Sequence, residues 1–91
     1  MSYVVKVIVY TVDDPRVLEL VRKAIETDGA SVEECTVKTS SEGEKELYAV
    51  LRHDDPKVLI GIVRRVEAVK GAAVMATTGP ARASVFKRFQ G

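Results

Sequence analysis

The sequence predicts an α+β domain of order β-α-β-β-α-β, with a four-stranded antiparallel sheet carrying two helices on one face. Three observations lead there. The hexapeptide Asp13-Asp14-Pro15-Arg16-Val17-Leu18 recurs as Asp54-Asp55-Pro56-Lys57-Val58-Leu59, so the chain is built from two equivalent halves. Each copy follows a strand-like run and precedes an amphipathic stretch that stops at a glycine. The 91 residues leave room for one core only.

The first strand is read over Tyr3 to Thr11, rich in β-branched and aromatic residues, with Val5, Val7 and Val9 on one face and Val4, Lys6, Ile8 and Tyr10 on the other. Asp14 supplies an N-cap carboxylate and Pro15 suits the first helical position, where its missing N–H is no loss. Val17, Leu18, Val21, Ala24 and Ile25 recur at helical spacing, giving a helix from Pro15 to about Asp28, stopped by Gly29. Ala30 to Thr39 reads as a strand, Ser40-Ser41-Glu42-Gly43 as a turn, and Glu44 to Arg52 as its hairpin partner, with Leu47, Ala49 and Leu51 alternating against Tyr48, Val50 and Arg52.

Asp55 and Pro56 repeat the cap chemistry before a second helix through Val58, Leu59, Ile62, Val63, Val66 and Val69, ending at Gly71. The last strand runs from Ala72 to about Thr78. Right-handed crossovers interleave two such halves into the ferredoxin-like sandwich and leave one sheet face uncovered. That open face is expected to carry some of Tyr10, Ile8, Tyr48, Val50, Cys35 and Val37, an apolar set that favours a sheet-to-sheet or edge-to-edge dimer. The chain divides into a domain over 1–78 and a basic, aromatic C-terminal extension over 79–91.

Composition narrows function. With 46% hydrophobic and 30% charged residues and a net charge of +1, the chain is a folded domain, not a nucleic-acid binder over its whole surface. One cysteine excludes an internal disulfide and suits a cytoplasmic setting. The run from Tyr3 to Thr11 is too short to span a bilayer, so no membrane partner is expected. Asn and Trp are absent and Gln90 is the sole Gln, a thermophile-like composition.

No metal-ligand spacing, phosphate-cradling glycine loop or nucleophile–base pair stands out, so no metal, cofactor or catalytic residue is assigned. The paired carboxylates of the two Asp-Asp-Pro turns are what helix N-termini favour, which makes them caps before ligands. His53 beside Asp54 and Asp55 lacks a positioned nucleophile. Arg64 and Arg65 suit a solvated helix face. The extension from Gly79 carries Arg82, Phe86, Lys87, Arg88 and Phe89, basic residues interleaved with aromatics that either follow a phosphate backbone, pack as an extra strand, anchor on a partner subunit or fray as a loose terminus.

The run Val9-Tyr10-Thr11-Val12-Asp13-Asp14-Pro15-Arg16-Val17-Leu18, with Ala24-Ile25 and Gly29-Ala30-Ser31-Val32, resembles the opening half of an ACT domain. The resemblance implies a regulatory module that binds an amino acid or other small effector between its first strand-helix loop and a neighbouring subunit. By position, Val12, Asp13, Asp14, Pro15, Arg16 and Val17 would form the loop, with Ala30, Ser31 and Val32 opposite. Arg16 stands where that family usually has Gly, and Ser31 where it often has Asn. Arg16 therefore either blocks an amino-acid site or binds an acidic effector through its fork of donors.

The resulting expectation is a small-ligand-sensing module acting as a homo-oligomer, a dimer or higher, with Val12, Asp13, Asp14, Arg16 and Ser31 as its ligand-binding residues. Two rival classes stand beside it. One is an RNA-binding or assembly protein using the basic tail, and the other an enzyme whose site forms between subunits around His53 or Arg16.

Overall fold

The computed structural model describes residues 1–89, with side chains described through Phe86. Alternating valines and leucines build the expected elements: β1 (Tyr3–Thr11), α1 (Pro15–Glu26), β2 (Ser31–Thr39), β3 (Lys45–His53), α2 (Pro56–Glu67) and β4 (Ala72–Arg82), followed by a short α3 (Ala83–Phe89). The strands form one antiparallel sheet in the order β2-β3-β1-β4. This is the ferredoxin-like arrangement, with β1 and β3 central and β2 and β4 at the edges.

Val5, Val7 and Val9 of β1 and Leu47, Ala49 and Leu51 of β3 are almost wholly buried beneath Val21, Ala24 and Ile25 of α1 and Leu59, Ile62 and Val66 of α2. Both helices start as the repeat requires. Asp14 accepts a hydrogen bond from the Arg16 amide and Asp55 from the Lys57 amide, each at 2.9 Å, with Pro15 and Pro56 in the first turn. In the second copy the His53 Nδ1 also accepts from the Asp55 amide at 2.8 Å, so the imidazole is part of the cap.

The helices end at Glu26 and Glu67, short of the expected stops. Beyond Gly71, β4 continues past Thr78 to Arg82. Two bulges interrupt its pairing with β1, one where Met75 has no partner and one at Gly79 and Pro80. Gly79 has a φ of +93°, and a Cβ there would sit 2.6 Å from the Val4 carbonyl oxygen. Only glycine fits such an approach.

Two expectations about faces change. Cys35 and Val37 pair with Ala49 and Leu47, so they lie on the helix face, not the open face. The cause is a register shift between Val32 and Glu34, which inserts Glu33 as an extra residue and resets the alternation. The open face instead takes Glu34, Thr36 and Lys38 from β2, opposite Val50, Tyr48 and Glu46. Residues 83–89 form neither an extra strand nor a loose end but the short helix α3. The Ala83 amide donates to the Ser2 carbonyl at 3.0 Å, and the Phe86 ring lies 5.0 Å from the Lys6 ammonium on the open face.

Candidate functional site

Three connections meet at one end of the sheet: the β1–α1 loop, the β2–β3 hairpin and the α2–β4 turn. Backbone geometry ties the first to the third. The Val12 amide donates to the Gly71 carbonyl at 3.0 Å, and a Cβ on Gly71 would lie 3.2 Å from methyls of both Val12 and Val17. With a φ of +94°, Gly71 is the residue that lets this turn close against the loop. Asp13 reaches toward the hairpin, its Oδ2 near the Cα of Gly43.

Asp14 and Arg16 form a local pair. Besides the cap, Arg16 donates from Nε to Oδ1 at 3.3 Å and from its terminal nitrogen to Oδ2 at 3.2 Å, while its side chain is 90% exposed. The Arg16 side-chain hydrogen bonds, then its backbone amide, hold the Asp14 carboxyl below its ordinary value, and the same contact raises Arg16 further above its own. Sequence reading placed both residues at the loop but missed this pairing. The Asp14 carboxylate already caps the Arg16 amide, and the flexible Arg16 side chain turns back onto the same group. An acidic ligand at Arg16 therefore meets a guanidinium already engaged by a carboxylate, with about three of its five N–H donors left over.

Beside the loop lies a shallow depression of about 290 Å³ lined by Tyr10, Thr11, Val12, Glu44, Gly71, Ala72 and Ala73. Thr11 is 3% exposed, and among the described residues its hydroxyl is buried without a hydrogen-bond partner. Such an orphan costs about 1–3 kcal/mol. Sequence alone could not reveal it, because Thr in a strand normally finds a partner or faces water.

Ser31 is elsewhere. It pairs with Arg52, whereas Thr11 pairs with Lys45 at the loop end, so in one chain Ser31 and the loop lie at opposite ends of the sheet. At about 3.3 Å per residue, the run of β3 from Lys45 to Arg52 puts the separation at about 23 Å. The remaining candidates also divide. His53, tied into its cap, shares the Ser31 end and is remote from Arg16. Arg65 pairs with Asp28 across the helices at 2.5 Å. Arg82 is exposed at the end of β4, and Phe86 is turned onto the chain's own Lys6. The side chains of Lys87, Arg88 and Phe89 lie outside the described ones. Among the described residues no three His, Cys, Asp or Glu gather as metal ligands, and no helix is long and apolar enough to cross a membrane.

The fold has counterparts among solved structures. The chain is similar to the ACT domain from the GTP pyrophosphokinase of Chlorobium tepidum, with a TM-score of 0.69 at 9% identity, covering 86% of this chain and 97% of that one. An uncharacterised protein from Thermotoga maritima superposes with a TM-score of 0.72 at 11% identity, covering 86% and 96%. The C-terminal domain of the MgtC protein from Mycobacterium tuberculosis gives 0.62 at 20% identity, covering 89% and 93%. No family model and no curated protein matches the sequence. The molecule thus has an ACT-like, ferredoxin-like fold, shared with these structures at 9–20% sequence identity.

Proposed function

We propose that the chain is a regulatory, small-ligand-sensing module that works as a homodimer joined through its β2 edge. The observation that carries this reading is the state of β2. Its nine residues are exposed almost throughout, and Val32 on the helix face is 39% exposed beside the fully buried Leu51. Helix α1 packs on α2 and leaves β2 without cover. A second copy added antiparallel along β2 would extend the sheet and run its own β2 back the other way. Ser31 of the second copy then arrives at the hairpin end, where Val12, Asp13, Asp14 and Arg16 sit. The residues a single chain keeps about 23 Å apart come to one end only in the dimer. The likeness to an ACT domain supports the regulatory reading.

The effector would be a small molecule held by the exposed Arg16 fork and the neighbouring loop backbone. Thermal melts with free amino acids, nucleotides and short RNA test this. A ligand at about 100 times its dissociation constant stabilises by roughly 2.7 kcal/mol, a rise of more than about 10 °C for a domain of this size. Arg16→Ala is expected to abolish the shift and Ser31→Ala to weaken it. For an acidic effector, Asp14→Asn should strengthen binding, since Asn still caps the helix while releasing the guanidinium. A midpoint that no small molecule moves, or a shift that survives Arg16→Ala, would end the sensing reading. A shift seen with RNA alone and lost at high salt would favour the tail-based class instead.

A further inference from the structure

Resting on the β2-edge homodimer just proposed, a more specific statement follows from the charges along that strand. We propose that the two copies pair in one register, with Thr36 facing Thr36 on the two-fold axis and Glu34 facing Lys38 of the second copy twice over.

The argument begins with which registers are open. An antiparallel pair related by a two-fold normal to the sheet keeps both open faces on one side only when some residue opposes its own copy. Regular alternation in β2 runs from Glu34 to Thr39, because the bulge at Glu33 puts Val32 back on the helix face. Centring on Glu34 or on Lys38 sets like charges face to face, which is unfavourable. Centring on Val37 leaves Glu34 beyond the strand, opposite Ser40. A centre at Cys35 sets the helix-face Val32 against the open-face Lys38, so the sides disagree across the bulge. With the centre at Thr36, Glu34 meets Lys38, Cys35 meets Val37 and Thr36 meets Thr36, each pair on its proper face.

Two further facts fit. Among the described residues neither Glu34 nor Lys38 has an ion-pair partner within the chain, although Glu33 next door is engaged by Arg52 at 2.7 Å. Cys35 and Val37 would cover each other on the helix face, where α1 leaves a gap.

The test is charge exchange across the interface, read by analytical ultracentrifugation of the full chain. Glu34→Lys and Lys38→Glu are each expected to weaken self-association about tenfold or more, since two attractive pairs become repulsive. A one-to-one mixture of the two variants should associate at near wild-type strength, because each then faces its complement, and the double variant should do the same alone. Thr36→Cys in a Cys35→Ala background should oxidise rapidly to a covalent dimer, because directly opposed residues on antiparallel strands lie within disulfide range. Wild-type Cys35, facing Val37, should cross-link far more slowly.

Retained dimerisation in both charge variants, or Cys35 cross-linking faster than the Thr36 variant, would overturn this register. Cys35→Lys with Thr39→Lys, two exposed positions that charge the edge in any register, tells the two readings apart. If that variant dissociates the dimer while the charge reversals do not, the edge reading stands and the register falls. If the wild-type chain is monomeric, or its dimer ignores the charged edge, both fall.

Discussion

The two edges of this sheet are treated in opposite ways. Along β4, Met75 bulges out, Gly79 and Pro80 break the ladder, and α3 folds back from the strand end onto Lys6. Bulges and proline are the usual means of keeping an edge from pairing with another chain. Strand β2 has one bulge near its start and then runs to Thr39 without Gly or Pro, exposed on both faces. Of the two edges, β2 is the one whose ladder another strand could extend without meeting a proline.

The largest effects expected on this contrast come from the closed edge and from the sheet centre. Gly79→Ala should cost about 2–4 kcal/mol in urea denaturation, since the new Cβ meets the Val4 carbonyl oxygen at 2.6 Å in a conformation foreign to L side chains. A neutral result would mean that the bulge is not the rigid stop described. In the centre, Leu51→Ala should cost about 2–5 kcal/mol by leaving a cavity. Its β2 neighbour Val32→Ala should cost under about 1 kcal/mol in the monomer, because part of that side chain is already in water. Equal costs would mean that β2 is packed as tightly as β3.

Smaller effects sharpen the loop end. Thr11→Val should raise stability by about 1 kcal/mol in the same assay by removing a buried hydroxyl with no partner. A loss of stability would reveal a partner for that oxygen. Asp55→Ala should cost about 1 kcal/mol through its cap.

The smallest effect is acid dependence at Asp14. Its carboxyl is held below its ordinary value of 3.8 by Arg16, so the pair stabilises the fold above that value, and the contribution disappears as pH falls through the lowered one. Arg16→Ala should therefore move the acid-unfolding midpoint slightly upward. An unchanged midpoint would mean that the exposed pair contributes nothing in solution.

Much of this was legible in the residues. The duplicated Asp-Asp-Pro turn fixed both helix starts, and the alternation of Val5, Val7 and Val9 in β1 and of Leu47, Ala49 and Leu51 in β3 named the buried face of the sheet, because burial on one face imposes a period of two on the sequence. Cys35 and Val37 were misplaced because a single extra residue, Glu33, reverses alternation without any sign in composition. The tail was read as a phosphate-backbone binder, an extra strand, a partner anchor or a frayed end, yet after the bulge at Gly79 and Pro80 the strand resumes pairing at Ala81 opposite Val4 and then turns into α3. At the candidate site the sequence located the loop between β1 and α1, while the Asp14–Arg16 pairing and the orphan Thr11 hydroxyl were not legible in it. Both depend on which atoms converge in space.

The sequence by itself determined the elements, their caps and which residues are apolar, since these follow from local propensity and periodicity over a few residues. Only the tertiary structure decided that Ser31 lies at the far end from the loop, that one edge is closed and the other open, and that Glu34, Thr36 and Lys38 share a face. Those facts are set by strand order and by bulges in pairing. They join residues distant in the chain, and no local pattern encodes them.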